Sequence, residues 1–238
     1  MNPYDDNDPR RRLLLQLLGA GLLAANTSTA RAGLFGSVPR ELPAGQSIYR
    51  MSGRVLVNGT PANMTTVIKP SDTVETGDKG EIVFVVGKDA YLLRAGSKLI
   101  IGPEHKPGIA DTLKLLAGRL LSVFAEGPRN INANNMILGI RGTGVYIETD
   151  PEETYLCTCY GLVDLAAKSD KASRETIKSE HHDAPRYILS NADKGKAIRK
   201  APFKNHTDSE LMLIEALVGR EPPFVFPRDT YRAPRRDY

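Results

Sequence analysis

The sequence predicts a mainly β protein, a compact stack or sandwich of short strands with one short C-terminal helix. Three observations carry that expectation. Short aliphatic runs recur about every 8–12 residues, separated by Gly, Asp and Pro. One helix-capping signature stands near the C-terminus, at Thr207-Asp-Ser-Glu210. The 238 residues are 41 % hydrophobic and 25 % charged, enough apolar material for a folded core. No apolar run reaches the roughly 18 residues that would span a bilayer, so no membrane span is expected in the mature chain.

The first 32 residues read as an export signal. Arg10, Arg11 and Arg12 precede an apolar run from Leu13 to Ala25, and Ala30-Arg31-Ala32 offers a small-x-small cleavage site. The paired arginines resemble a twin-arginine signal. Two glycines dilute the apolar run and Arg31 places a positive charge beside the cut, as that route favours. Cleavage after Ala32 would deliver the mature chain to the periplasm. Residues 33–50, with Pro39 and Pro43, read as a linker.

Strand signals then follow in order. Gly53 to Val57 runs into Asn58-Gly59, a pair suited to a two-residue hairpin because both tolerate positive φ. Val67-Ile68 leads to a turn at Pro70-Ser71-Asp72. Glu81 to Val86, Ala90 to Arg94 and Lys98 to Ile101 are strands set apart by Gly87-Lys88-Asp89 and Gly96-Ser97. Residues 111–117 fit the start of a short helix, whereas 118–124 alternate as a strand. Thr154 to Leu165 is a further strand.

Several of these pieces together resemble the FecR domain family. They are Gly53-x-Val55-x-Val57-Asn58-Gly59, Asp72-x-Val74-x-Thr76-Gly77, Phe84-Val-Val-Gly87-x-Asp89-Ala90, and Gly139-Ile-Arg-Gly-Thr143. The resemblance covers residues 51–165, with Ser71 standing where the family has a glycine. It implies a periplasmic β domain that senses or scaffolds through a protein partner, in the periplasm or outer membrane, and does not catalyse. The family's regulators carry an anti-sigma domain and a membrane helix ahead of this domain. Here only twelve residues precede the apolar run, so a stand-alone exported relative is expected. Arg141, between two glycine-containing steps, is expected to clamp a tight turn through loop carbonyls or to contact a partner.

One constellation carries chemistry. Cys157 and Cys159 are two apart on a strand and project from one face, together with Tyr155. An extended strand holds their Cβ atoms about 6.5–7 Å apart, too far for a disulfide without a bulge. Downstream, His181 and His182 supply imidazoles, one of which can join the two sulfurs around a soft metal such as zinc, copper or iron. The cysteines remain open to three readings: ligands, a disulfide or small buried side chains. A thiol- or metal-dependent redox enzyme is the alternative from another class. His105 and His206 are expected to be isolated and solvated.

Other chemistries lack their residues. No G-x-S-x-G elbow, phosphate-cradling loop or dinucleotide fingerprint occurs. A net charge of +4, from 32 basic and 28 acidic residues, shows no basic stripe interleaved with aromatics, so no nucleic acid is expected. Residues 166–238 form a C-terminal extension. It contains a helix at about 208–218, packing through Leu211, Ile214 and Leu217-Val218, and a basic tail beyond Pro227.

Overall fold

The computed structural model describes residues 40–106 and 109–224. The segment expected to be an export signal, including Arg10 to Arg12, Ala30 and Ala32, lies outside the described residues, as does the tail beyond Pro227. The first half of the chain forms β1 (Ile48–Ser52), β2 (Val55–Val57), β3 (Thr60–Pro61), β4 (Thr73–Thr76), β5 (Glu81–Val86), β6 (Asp89–Leu93) and β7 (Lys98–Ile101). A small separate hairpin follows, β8 (Glu104–Lys106) and β9 (Ile109–Ala110). Then come β10 (Thr112–Val123), β11 (Pro128–Asn132), β12 (Met136–Thr149) and β13 (Glu153–Ala167). The last described elements are β14 (Arg174–Ser179), β15 (Arg186–Leu189), β16 (Ile198–Lys200) and, as the one helix among the described residues, α1 (Asp208–Ala216). The mainly β class with one short C-terminal helix is what the sequence predicts.

Fourteen of these strands share one open sheet, in the order β16-β15-β13-β12-β11-β10-β7-β4-β2-β3. The branch β1-β5-β6 joins it at β10, and β14 joins at β13. The three longest strands change partners along their length. β10 pairs with β7 and β11 through its first half and with β6 and β12 through its second. The switch falls at Gly118, where φ is 87°. A Cβ there would stand 2.1 Å from Ser97 Oγ, so only glycine fits both the backbone angle and the space. β13 likewise pairs with β15 first and β14 after Gly161.

Local chemistry explains the elements. Asn58 and Gly59 adopt φ of 52° and 79° and close the β2–β3 hairpin with Val57 opposite Thr60. Of residues 111–117, expected to start a helix, 112–117 are strand, because Leu113 and Leu115 are buried while Lys114 and Leu116 face outward, a period of two. Val67-Ile68 is not a strand. The N–H and C=O of Ile68 both bond to Ser47 Oγ, at 3.0 and 3.2 Å, leaving no ladder to join. The Gly139–Thr143 step is also not a turn: it lies inside β12, at a bulge where Gly142 has φ 61°.

The central strands are buried on both faces. Phe84, Tyr91, Leu93, Leu120, Val145, Ile147 and Leu156 point into one large apolar core. Their neighbours Val83, Leu92, Leu121, Tyr146, Tyr155, Cys157 and Cys159 point the other way. There they meet Leu211, Ile214 and Leu217 of the helical segment in a second cluster. Val218, expected to pack with them, is only partly buried against that cluster.

Candidate metal centre

The second cluster holds the chemistry. Tyr155, Cys157 and Cys159 all lie on the helix-covered face, and both cysteines are fully buried free thiols. β13 carries a bulge here, since Val145 pairs with Thr158 and Gly144 with Tyr160. Even with that bend the two sulfurs form no disulfide.

Two histidines close over them, each held at a left-handed backbone step. His182 itself has φ 56°, and its N–H donates to the carbonyl of Cys159 at 3.0 Å. Asn205, with φ 62°, turns the chain so that His206 enters the cluster. Such conformations cost of order 1–3 kcal/mol in a non-glycine residue and persist where the surroundings enforce them. The loop ahead of His182 is held by Asp183, whose carboxylate accepts from the N–H groups of Glu180 and His181.

His206 corrects the sequence expectation. It is 1 % exposed, stacked on Tyr146 at 4.5 Å, and its Nε2 lies 3.4 Å from Cys159 Sγ. The expected solvated residue is thus a full member of the site. His182 Nδ1 stands 3.4 Å from Cys157 Sγ and 3.2 Å from His206 Nε2. His181 instead turns outward, its side chain 43 % exposed, and bonds Asp208. The four ligand atoms of Cys157, Cys159, His182 and His206 all fall within 4.8 Å of one another.

These separations match a coordination tetrahedron. Metal–sulfur bonds of about 2.3 Å and metal–nitrogen bonds of about 2.05 Å imply edges of about 3.6 Å for S···N and about 3.3 Å for N···N. The outer ring nitrogens have partners as well. His206 Nδ1 lies 2.8 Å from the carbonyl of Lys204, which can only accept, so that nitrogen carries a proton. His182 Nε2 lies 2.9 Å from Asp208 Oδ1. The inner nitrogen of each ring is thus the one left to bind a metal once its proton is gone, with the carbonyl and carboxylate fixing ring orientation as metal-bound imidazoles require. Asp208 is placed by α1, whose first turn it begins. The helix is started by Thr207, which accepts from the Glu210 N–H while Glu210 Oε2 accepts from the Thr207 N–H.

Electrostatics set the protonation of the metal-free site. Burial works against the Cys157 thiolate, but hydrogen bonds from Cys159, His182 and His206 outweigh it and hold this thiol well below its usual value. Burial and the neighbouring Cys157 push Cys159 the other way, well above. Burial disfavours the His182 imidazolium, yet Asp208 and Cys157 raise it to about 9. One proton therefore rests on the Cys157–His182 pair and one on Cys159.

Other sequence-predicted positions lie elsewhere. Arg141 is exposed on β12 and its side chain makes no hydrogen bond or ion pair among the described residues, so it clamps no carbonyls. The side chain of His105 lies outside the described residues. A clamp of the expected kind exists at Arg129, buried and bonded to both carboxylate oxygens of Asp89 at 2.9 Å and to the carbonyls of Ala125 and Gly127. Asp89, expected as turn chemistry, is the other half of that buried pair.

No protein-family model matches the chain, and no curated protein matches its sequence. Two crystal structures titled as a "putative anti-sigma factor" from Parabacteroides distasonis ATCC 8503 resemble it in shape. The one at 2.50 Å resolution is 12 % identical with a TM-score of 0.45, covering 68 % of this chain and 83 % of its own. The one at 1.65 Å is 11 % identical with a TM-score of 0.46, covering 70 % and 85 %. Among the described residues no helix is long and apolar enough to cross a membrane.

Proposed function

We propose that this chain is a non-catalytic metal-binding module, exported to the periplasm, where it senses or scaffolds through a protein partner. The observation that carries the metal is the convergence of two sulfurs and two inward-facing imidazole nitrogens at tetrahedral separations. Two thiolates and two neutral imidazoles balance the charge of Zn²⁺ and suit its tetrahedral preference. Four protein ligands leave no coordination position for substrate, which favours a structural or sensing ion over a hydrolytic one. Fully buried sulfurs likewise give a redox substrate no face to attack, against the thiol-enzyme alternative.

The order of motifs between residues 51 and 165 supports a FecR-type module, and the three-part pattern of residues 1–32 supports export. A centre loaded before export would suit a route that carries folded proteins. Metal analysis of protein purified from the periplasm tests the reading. One zinc per chain, lost in Cys157→Ser and in His206→Ala, is expected; wild-type protein that retains no zinc and gives no thiolate-to-metal band with Co²⁺ would overturn it. Replacing Arg11 and Arg12 with Lys should abolish export, and unchanged export would remove the twin-arginine route.

A further inference from the structure

A second set of ligating groups stands just outside the buried four. His181 Nε2 and His182 Nε2 lie 3.0 and 2.9 Å from the same oxygen, Oδ1 of Asp208. The ligand atoms of these three residues also fall within 4.8 Å of one another. His182 belongs to both sets, one ring nitrogen facing each way. His181 is the exposed member, and it forms part of the wall of a cleft of about 700 Å³.

That cleft is acidic. Its described lining includes Glu126, Glu180 and Glu221, all exposed and none in an ion pair among the described residues. The remaining charged pair, Glu215 and Arg220, is internally bonded at 2.7 Å, with Tyr160 donating to the same carboxylate. A cleft with a surplus of negative charge concentrates cations at its mouth and speeds their arrival. Phe224 packs against His181 with ring centres 4.6 Å apart.

We propose that His181, His182 and Asp208 form an outer cation site that loads the buried Cys157–Cys159–His182–His206 centre from the acidic cleft. A divalent cation is drawn in by the three glutamates and held first by His181 Nε2, His182 Nε2 and Asp208 Oδ1. It then passes inward across the His182 ring. With the cation outside, His182 keeps its proton on Nδ1, toward Cys157; with it inside, the proton sits on Nε2, toward Asp208. The centre is then an exchangeable one with a defined door, as a sensor requires.

This inference rests on the buried centre binding metal, and one experiment separates the two. Metal-free full-length protein is mixed with Co²⁺ in a stopped-flow instrument, following the thiolate-to-cobalt band that only the buried site produces. The final band in His181→Ala should equal wild type, with one Co²⁺ per chain, while its rate of appearance falls about tenfold. The triple variant Glu126→Gln, Glu180→Gln, Glu221→Gln should also load more slowly and lose most of the salt dependence of the rate. Loading as fast as wild type in both variants would overturn the outer site while leaving the centre intact. No band in wild-type protein would instead remove the centre itself.

Discussion

The two faces of the central strands are made from alternate residues of the same strands, yet they solve different problems. The inner face packs Phe84, Tyr91, Leu120, Ile147 and Leu156 against other apolar side chains. It takes most of its stability from apolar burial, at about 25 cal/mol per Å² removed from water. The outer face is covered by one nine-residue helix and the loops around it, and it buries Tyr146, Tyr155, two thiols and a histidine. Polar groups buried this way cost stability unless each finds a partner. The difference teaches where function sits: the inner face needs nothing beyond the chain, whereas the outer face holds four lone-pair donors aimed at one point.

The comparison can be broken in several places. On the inner side, Asp89→Asn strips the buried Arg129 of its counter-charge and should cost about 3–5 kcal/mol. Thermal or urea unfolding should show that loss equally with and without zinc; a loss that zinc abolishes would merge the two faces into one system. On the outer side, zinc at about 1,000 times its dissociation constant should stabilise the protein by about 4 kcal/mol. His206→Ala should gain nothing from the same zinc.

The pH dependence sharpens the outer face further. Metal-free protein holds one proton on Cys159, pushed up, and one on the Cys157–His182 pair, where His182 is held at about 9. Both protons leave when the metal binds, so raising the pH favours the loaded form. Zinc affinity should rise roughly 100-fold from pH 7 to pH 8, two protons per metal. Competition titrations at the two values check this, and an affinity independent of pH would deny the thiolates their place. The smallest effect expected is at the helix start. Thr207→Ala removes the cap and should cost about 1 kcal/mol, and by loosening Asp208 it should weaken zinc binding as well as stability.

Much of the fold is legible in the sequence because its signals are local. The Asn58-Gly59 hairpin, the Glu81–Val86 strand and the Thr207–Glu210 capping box each lie within a few residues, and the structure has all three. The shared face of Cys157 and Cys159 follows from the two-residue period of a strand. His206 is not legible, because nothing near it ties it to a cysteine 47 residues earlier; only the packing of α1 over the sheet does so. The clue available is its position just before the capping box, behind an asparagine able to adopt positive φ. Arg129 and Asp89 escape for the same reason, being 40 residues apart. Arg141 misleads in the opposite sense, since its flanking glycines kink a strand that a local reading takes for a turn.

X-ray absorption spectroscopy on the zinc-loaded full-length chain tests the central claim most directly. The account predicts four ligands, two sulfurs at about 2.3 Å and two nitrogens at about 2.0 Å. A shell of nitrogen and oxygen alone would contradict it.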